Sequence, residues 1–409
     1  MDFADTPEEA AFRAEARAFL EANARPRDET RQVNYRGHIS DEEIRAARIW
    51  QAKKAGAGFA ALGWPKAWGG REAPPIMSAI YHQEELKFDI PMGVFEVGIG
   101  MCLPTMLAYA TEEQRQIYIP PALRGEHIWC QLFSEPAAGS DMAGIRTRAE
   151  RRGGEWVING QKIWNSGAHH SDYGILIARS DPDAPKHKGI TFFFLDMKTP
   201  GVEVRPIHQV TGAHRFSEVF LTDVRIPDSQ RLGAVGDGWR VALTTLMNER
   251  VVGGTVDAWP NPRDLLNLAR MVEIDGKPAI KHPAVREKLA EWYVQSQGLK
   301  VGLLRTLTAV SQGKEPGPEN SIGKLVKATM SQDIAAYGLD LLDAGGLVSD
   351  RDLSPLNMMF QEAYLSSPGG RIAGGTDEIL RNIIAERVLG MPGDIRVDKG
   401  MPFNQIPHG

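Results

Sequence analysis

The chain has 409 residues, an apolar content of 42% and a net charge of −5. This length allows two or three structural units around a large core and excludes a small peptide-like fold. The basic residues are scattered, so the charge pattern predicts no nucleic acid partner and no polybasic membrane patch. No apolar run approaches the roughly 20 residues of a membrane-spanning helix, and the acidic start lacks a signal-peptide core, so we expect a cytoplasmic protein without membrane insertion.

The first 128 or so residues have the pattern of helices, and three helix starts are marked. In Thr6 to Glu9, Ser40 to Glu43 and Thr111 to Gln114, a capping hydroxyl stands three residues before a returning Glu or Gln. Pro7 suits a first helical turn. The stretch from Gly63 to Gly70 is rich in Gly and Pro, so we expect a loop there.

A loop of small side chains follows, with two turn signals behind it. Residues 137–140 (Ala-Ala-Gly-Ser) leave the backbone accessible, so that its N–H groups can approach a phosphate or the edge of a heterocycle. Of the two signals, Gly153-Gly154 and Asn159-Gly160, the second lies between apolar runs and predicts a two-residue hairpin. This prediction puts Trp164 and Ser166 on or just past a strand. Taken alone, such a loop and hairpin more often belong to ordinary structure.

From about Cys130 the sequence changes to short β-rich runs, and after Gly233 the helical pattern returns. The fold class is therefore α+β, with a helical domain over 1–128, a β domain over 129–232 and a helical domain over 233–409. The β runs with the strongest pattern are residues 173–178, 190–195, 202–204 and 218–224.

The cysteines and histidines do not indicate a metal site. Cys102 and Cys130 lie in apolar surroundings, which favours buried, reduced thiols over a disulfide framework. No metal-ligand spacing is present. His169 and His170 are adjacent, so on a regular element we expect them to point in different directions.

The stretch from Gln131 to Ser166 resembles the acyl-CoA dehydrogenase family. Its residues match the family's T/S-E-P-x-x-G-S-D loop and the N-G-x-K-x-W segment that follows. The order of helical, β and helical segments is similar to that family over essentially the whole chain. The resemblance implies an N-terminal helical domain, a middle β-barrel or sandwich, and a C-terminal four-helix bundle. The matching residues are Ser134, Glu135, Pro136, Gly139, Ser140, Asp141, Asn159, Gly160, Lys162 and Trp164.

The resemblance also implies FAD as the cofactor. It implies that the Phe133 backbone and the Ser134 hydroxyl meet the pyrimidine edge of the flavin, while Trp164 and Ser166 flank its ring. Asn165 stands where an aliphatic residue is usual, which leaves the role of its side chain open. The other FAD contacts implied are Gly139, Ser140, Arg270, Gly345, Gly346, Thr376 and Glu378.

Desaturation of a thioester needs a base for its α-proton. In many family members the base is a glutamate just before a Gly-Thr pair near the C-terminus, and here Gly374 stands at that place. The isovaleryl and long-chain branch takes the carboxylate from a helix, directly before an arginine, and Glu249-Arg250 matches that pattern. Helical spacing gives Glu249 mostly apolar neighbours, so we expect it on an apolar stripe with a raised pKa. The alternative is a structural ion pair.

The remaining roles follow from the same resemblance. The Gly374 N–H would donate to the thioester carbonyl, Arg250 would hold the CoA portion, and Ser140 and Gly375 would contact the substrate. The implied reaction converts an acyl-CoA into a trans-2-enoyl-CoA in a homotetramer or heterotetramer, with electrons passing to an electron-transfer flavoprotein. Two alternatives stay open: a flavin monooxygenase or oxidase on the same scaffold, and a supporting subunit of a heteromeric dehydrogenase. The acyl group also stays open.

Overall fold

The computed structural model describes residues 5–27, 39–91, 93–253, 260–311, 317–396 and 398–407, without the side chains of 249–253, 307, 310 and 311. The chain forms two compact units. Unit 1 consists of residues 1–34, 75–88 and 253–394, and unit 2 of residues 35–74, 89–252 and 395–409. The three-domain division at 128 and 232 stays a prediction.

Helices dominate unit 1, whereas unit 2 combines helices with a sheet. The helices are α1 (Pro7–Asn23), α2 (Asp41–Gly56), α3 (Pro75–Glu85), α4 (Leu103–Tyr109), α5 (Glu112–Leu123), α6 (Gly238–Gly253), α7 (Pro262–Met271), α8 (Pro283–Ser311), α9 (Asn320–Leu342), α10 (Met359–Gly370) and α11 (Asp377–Ile383). The strands are β1 (Arg25–Pro26), β2 (Phe88–Asp89), β3 (Trp129–Leu132), β4 (Arg148–Arg152), β5 (Glu155–Ser166), β6 (Tyr173–Arg179), β7 (Ile190–Asp196), β8 (Val202–Pro206), β9 (Phe216–Pro227), β10 (Arg231–Leu232), β11 (Glu273–Ile274) and β12 (Lys277–Pro278).

The three predicted helix starts are confirmed. Helices α1, α2 and α5 begin one residue after Thr6, Ser40 and Thr111, and each of these hydroxyls accepts a hydrogen bond from the backbone N–H three residues later. In each case the Glu or Gln at that third position returns a bond to the backbone N–H of the cap. Two otherwise unsatisfied N–H groups are thereby paired at each helix end.

The sheet of unit 2 contains β3 to β10 in the order β10-β7-β6-β4-β5-β9-β8, with β3 parallel to β6. The four β-rich runs predicted from the sequence are confirmed as parts of β6, β7, β8 and β9. Strands β6 and β7 are antiparallel neighbours and are buried on both faces. The sequence thus predicts these strands well because both are continuous apolar runs.

The two faces of β6 and β7 face different neighbours. Ile177, Phe192 and Phe194 belong to one apolar cluster, whereas Leu176 and Phe193 belong to another, as the two-residue period of a strand requires. The first cluster also contains Leu103 and Met106 of α4, Ile119 of α5, and Val241 and Ala242 of α6. The second contains Ile158 of β5 and Val219, Leu221, Val224 and Ile226 of β9.

Unit 1 has its own core and its own buried charge. Helices α7 to α10 contribute apolar side chains to one cluster, including Leu268, Trp292, Ile334 and Phe360. Separately, the carboxylate of Glu84 on α3 is fully buried and forms ion pairs with Arg13 and Arg17 of α1 and with Lys87. These charges reverse the effect of burial and hold the pKa of Glu84 at about 2.

The α+β fold class is confirmed.

The hairpin predicted at Asn159-Gly160 is wrong. The chain turns at Gly153-Gly154, since Arg152 pairs with Glu155, and Asn159 and Gly160 lie inside β5. The Asn159 amide donates to the Asp223 carboxylate at 3.0 Å, and its oxygen accepts from the Asp223 N–H at 2.9 Å. Pairing with β9 therefore outweighs the local turn preference. A two-residue turn does form at Asp275-Gly276, where both φ angles are positive.

Cys102 and Cys130 are both buried thiols without a disulfide, as predicted. The Cys102 thiol donates to the Cys130 carbonyl at 3.6 Å. Burial raises the pKa of the Cys130 thiol to about 12. In the part of the chain that the structure describes, no helix combines the length and the apolar character needed to cross a membrane.

Candidate active site

The loop from Ser134 to Asp141 leaves the end of β3 and is held by a buried carboxylate. Glu135 is 7% exposed, and its carboxylate accepts hydrogen bonds from the backbone N–H groups of Arg146 (2.6 Å) and Thr147 (3.0 Å). The ammonium of Lys162, a fully buried side chain of β5, donates to the same carboxylate at 2.7 Å. The loop is thus fixed to the segment that follows it and to the neighbouring strand.

Burial affects both charges of this ion pair. It would raise the pKa of Glu135, but the charge of Lys162 and the hydrogen bonds outweigh it, so this pKa lies below its ordinary value. Burial lowers the pKa of Lys162 by more than Glu135 raises it. Since a buried charge without its partner is very unfavourable, each residue requires the other.

Lys162 and its neighbour also orient the backbone of the loop. The Lys162 ammonium donates to the Phe133 carbonyl at 3.1 Å, and the Ile163 N–H donates to the Ser134 carbonyl at 2.9 Å. Within the described ranges no hydrogen bond engages the Ser134 hydroxyl. Gly139 and Ser140 are exposed, and a Cβ at Gly139 would meet nothing within 4 Å. The loop therefore presents accessible backbone beside β5.

Trp164 is the most unusual residue of β5. Its φ is +61°, a left-handed conformation that non-glycine residues rarely adopt, and it is 57% exposed. It lies in a β-bulge, because β5 advances three residues from Lys162 to Asn165 while β9 advances only two. Its indole meets the Phe216 ring edge to face, with centroids 6.1 Å apart. A strained, exposed indole is a recognised mark of a functional position.

The residues after Trp164 alternate in exposure. Asn165 is 2% exposed and its amide donates to the Gln131 carbonyl of β3 at 2.8 Å, whereas Ser166 is exposed like Trp164. The sequence left the role of the Asn165 side chain open, and the structure shows that it connects β5 to β3 by this hydrogen bond. The indole and the Ser166 hydroxyl are both exposed at the end of the strand.

A cavity of about 190 Å³ adjoins Ser166 and is rich in cationic and imidazole groups. His169 and His170 lie in a short 3-10 turn between β5 and β6, outside a regular strand or long helix, and their ring centroids are 3.8 Å apart. Burial lowers the pKa of Arg215, which also lines the cavity. The full lining is Ile39, Gly93, Ser166, Gly167, His169, His170, His214, Arg215 and Phe216.

Helix α6 contains the proposed base and its neighbouring arginine. The side chains of Glu249 and Arg250 lie outside the described part of the chain. One and two turns before Glu249, Thr245 and Ala242 are fully buried, and the Thr245 hydroxyl is 2.8 Å from the Thr105 hydroxyl. On the row that precedes Arg250, by contrast, two apolar side chains are exposed, Leu243 by 41% and Met247 by 58%.

In unit 1 the candidate residues near the C-terminus form a turn that precedes α11. Gly374 and Gly375 have φ values of +65° and +96°, and Thr376 caps α11 by accepting the Ile379 N–H at 3.3 Å. The Lys324 ammonium of α9 donates to the Gly375 carbonyl at 2.6 Å. Glycine is the residue that adopts these backbone angles without strain, so a glutamate at position 374 would be disfavoured here.

The turn is also fixed by an ion pair at its two ends. Asp377 is 2% exposed, and the Arg371 guanidinium donates to it at 2.6 Å and to the Gln332 amide oxygen at 2.8 Å. Glu378 is exposed. The turn from Arg371 to Asp377 is therefore held by side chains of α9 and by its own ends.

The remaining cofactor candidates of unit 1 lie at helix ends. Arg270 is exposed in the last turn of α7, directly before the β11–β12 hairpin. Gly345 and Gly346 lie in the short 3-10 helix that follows α9, and the Gln361 amide donates to the Gly345 carbonyl at 3.4 Å. Within the described ranges, no group of three His, Cys, Asp or Glu side chains is placed to hold a metal ion.

Sequence reasoning assigned no supporting role to Glu135, Lys162 or Lys324. A signal for Lys162 was available, since it is a lysine on an otherwise apolar, inward-facing row of β5 that includes Ile158. Such a lysine requires a buried anion. Lys324 had no comparable signal, because its acceptor is a backbone carbonyl 51 residues away.

Comparison with known proteins agrees with this architecture. Three family models match, the acyl-CoA dehydrogenase N-terminal domain over residues 6–126, the middle domain over 130–224 and the C-terminal domain over 236–389. The chain is 35% identical over 362 residues to the acyl-CoA dehydrogenase IpdE1 of Mycobacterium tuberculosis, covering 88% of this chain and 91% of that protein. It is 40% identical over 343 residues to FadE34 of the same organism, which covers 84% of this chain but only 46% of that protein, so the chain spans about half of the length of this relative.

Solved structures give the same result. The structure described as the Tcur3481-Tcur3483 steroid ACAD superposes with a TM-score of 0.81 at 28% identity, over 96% of this chain and 100% of that one. The three matched domains, the relatives and the shared fold lead to one conclusion. The chain belongs to the acyl-CoA dehydrogenase family, whose members are flavoprotein oxidoreductases.

Proposed function

We propose that this protein catalyses the FAD-dependent α,β-dehydrogenation of an acyl-CoA thioester to the trans-2-enoyl-CoA. The observation that carries the proposal is Trp164, which is strained and 57% exposed beside a loop fixed by the buried Glu135–Lys162 pair. The contact with Phe216 leaves more than half of the Trp164 side chain accessible, so the indole has room for a further partner. A planar, redox-active ring is such a partner.

The residues present fit a flavin. The Ser134 hydroxyl has no protein partner in the described ranges, Gly139 leaves open space, and Ser166 is exposed on the same strand end as Trp164. These groups and the Phe133 backbone would hold the pyrimidine edge and the ring, and the bound flavin would supply the acceptor for the β-hydride. Ser140 would contact both cofactor and pantetheine. Asn165 would act indirectly, since its amide is engaged by β3.

Glu249 is the base in this proposal, as in the isovaleryl and long-chain branch. The buried row of Ala242 and Thr245 on α6 supports it, because a carboxylate one turn further along that row would have a raised proton affinity. The left-handed backbone of Gly374 supports it further, since a glutamate is disfavoured there. The N–H of Gly374 would instead donate to the thioester carbonyl.

The other contacts complete the proposed complex. Arg250 and Gly375 would hold the substrate. The residues proposed for the adenosine half of FAD and its pyrophosphate are Arg270, Gly345, Gly346, Thr376 and Glu378.

Assembly with further chains is part of the proposal. Several large apolar side chains are exposed on unit 1, and burial of such side chains against another chain would be favourable. We propose a homotetramer or heterotetramer that passes its electrons to an electron-transfer flavoprotein. The exposed set includes Met271 (58%), Tyr293 (58%), Val294 (68%), Val301 (46%), Leu347 (88%) and Leu353 (75%).

The test is anaerobic bleaching of the bound flavin by a panel of straight, branched, aromatic and steroid CoA thioesters. A relative at 28% identity is described as a steroid dehydrogenase, so steroid thioesters are the first class to test. We expect rapid bleaching by at least one class. Glu249→Gln should abolish bleaching and α-proton exchange while the flavin stays bound, and Glu113→Gln, an exposed glutamate of α5, should behave as wild type. Turnover in Glu249→Gln would remove Glu249 from the mechanism.

A second candidate is a supporting subunit of a heteromeric dehydrogenase. The observation that favours it is the pair of different chains named in the description of the steroid relative. In that case the chain purified alone would hold much less than one FAD per chain and would show no bleaching until a partner chain is added. A full complement of FAD in the isolated protein, together with bleaching, would exclude this candidate.

A further inference from the structure

The C-terminal segment 398–407 lies beyond residue 389, where the last family match ends, yet it is bound to the β domain. The Phe403 N–H donates to the Ala184 carbonyl at 3.0 Å, and the Asn404 N–H donates to the Pro182 carbonyl at 3.0 Å. Pro402 pairs with Pro185 in an isolated β-bridge. The segment therefore follows the connection between β6 and β7, residues 180–189, as a short additional edge.

One residue of that connection joins the C-terminal segment to the proposed cofactor loop. The Lys186 ammonium forms ion pairs with Asp398 of the segment and with Asp141, the last residue of the loop, at 3.0 Å from Asp141. The side chains of Lys186 and Asp398 are 16% and 21% exposed, so this end of the bridge is largely shielded from water, whereas the Asp141 side chain is 61% exposed. Burial would lower the pKa of Lys186, but the two carboxylates outweigh it and raise this pKa.

A second connection runs through Arg179, which is 3% exposed at the end of β6. Its guanidinium donates to the Ala143 carbonyl at 2.5 Å and to the Lys186 carbonyl at 2.6 Å. The ring of Phe403 covers the guanidinium, with the centroid 3.8 Å from Cζ. The backbone that follows the loop is thus held by an arginine that the C-terminal segment encloses.

We infer that Lys186 and Arg179 are positioning residues for the proposed thioester site, and that the C-terminal segment acts through them. Glu135 fixes the start of the Ser134–Asp141 loop, whereas Lys186 and Arg179 fix its end. A loop fixed at both ends loses little conformational freedom when a ligand binds to it. The inference rests on the proposed function, because it takes Ser140 on this loop as a contact of the pantetheine portion of the substrate.

The test compares Lys186→Met with wild type on two substrates, an acyl-CoA and the N-acetylcysteamine thioester of the same acid, which lacks most of the pantetheine. We expect the KM for the acyl-CoA to rise about tenfold, because the end of the loop must then be ordered when the substrate binds, with kcat within about twofold. The KM for the truncated thioester should not change. Lys186→Arg should restore most of the affinity. Lys198→Met, a lysine of the same domain whose side chain is 81% exposed, is the matched control and should equal wild type on both substrates.

The role of the C-terminal segment is tested with Asp398→Asn and Phe403→Ala in the full chain. Each should raise the KM for the acyl-CoA and leave the KM for the truncated thioester unchanged. Lys186→Met combined with Asp398→Asn should be no worse than Lys186→Met alone, since both changes break one linkage.

The outcomes separate this inference from the proposed function. If wild type bleaches with an acyl-CoA but Lys186→Met raises both KM values equally, or neither, the positioning role is overturned while the proposed function stands. If no thioester bleaches the wild-type flavin, the proposed function fails and the inference fails with it.

Discussion

Strand β5 contains two irregularities in its pairing with β9, and they have different physical causes. At the first, the extra residue belongs to β9, which advances three residues from Val224 to Leu221 while β5 advances only two, from Ile158 to Gly160. Gly160 passes so close to the residue before β4 that a Cβ would lie 2.7 Å from the Thr147 Cα, and glycine makes this approach possible. At Trp164 the strand adopts a left-handed conformation without a glycine and exposes the indole. The glycine at the first irregularity is required by packing. At the second, the contact with Phe216 still leaves the indole 57% exposed, which is why this irregularity points to ligand binding.

Lys162 lies between the two irregularities. Its replacement should lower the free energy of unfolding more than a change at either irregularity. Lys162→Met leaves the buried Glu135 carboxylate without its cation, so we expect the free energy of unfolding to fall by about 3–5 kcal/mol. Urea unfolding measures this loss. The double variant Glu135→Gln/Lys162→Met removes both charges and should lose less than the single variant. A single variant within about 1 kcal/mol of wild type would contradict a structural role for the pair.

Gly160→Ala tests whether the first irregularity serves packing alone. The added Cβ would meet the Thr147 Oγ1 at 2.4 Å, so β4 and β5 must separate, and we expect a loss of about 1–3 kcal/mol of unfolding free energy. Gly154→Ala is the matched control, because a Cβ there meets nothing within 4 Å. The flavin affinity of the folded fraction should stay unchanged in both variants. A weakened flavin affinity in Gly160→Ala would remove the distinction between the two irregularities.

Trp164→Gly should weaken flavin binding without lowering the stability of the protein, the reverse of the result expected for Gly160→Ala. Glycine adopts a φ of +61° without strain, so the unfolding free energy of the flavin-free protein should stay equal or rise by up to about 1 kcal/mol. The flavin affinity should fall by about tenfold or more, because the indole face is lost. Trp164→Phe keeps an aromatic face and should retain most of the affinity. Flavin affinity is measured by fluorescence titration. Equal affinity in wild type and Trp164→Gly would contradict the proposal that Trp164 contacts the flavin.

The smallest effect is expected in the pH dependence of stability. The pKa of Glu135 lies below its ordinary value of 4.5 in the folded protein, so its stabilising contribution is complete above that pH and is lost as the pH falls through the lowered folded pKa. We expect this component as a fall in the free energy of unfolding measured below pH 4.5. The Glu135→Gln/Lys162→Met variant should lack this component. An unchanged acid profile in that variant would show that other carboxylates dominate.

The sequence predicts the local features of the fold well and its long-range features less well. The three capping boxes at Thr6, Ser40 and Thr111 are confirmed because every atom they need lies within four residues. The hairpin at Asn159-Gly160 was wrong because the side chain of Asn159 bonds to Asp223, 64 residues away. Local patterns therefore decide an element only where no distant partner competes.

The same reasoning applies to the candidate site. The small-residue loop follows from side-chain size, and the position of Trp164 and Ser166 on a strand follows from the apolar runs around them. The left-handed backbone of Trp164 has no sequence signal, because it arises from a shift in pairing with β9. Likewise, the link from Asp398 through Lys186 to Asp141 joins three segments distant in sequence.

The two buried thiols can report when the protein opens around β3. Cys130 lies on β3, the strand from which the cofactor loop departs, and Cys102 donates to its carbonyl, so an alkylating reagent reaches either sulfur only when that strand separates from its neighbours. Because burial also suppresses the thiolate, the native state should resist labelling, and the rate of modification should rise and fall with the transiently exposed population. Flavin or thioester binding that tightens the loop would therefore be recorded as slower alkylation, without any engineered probe.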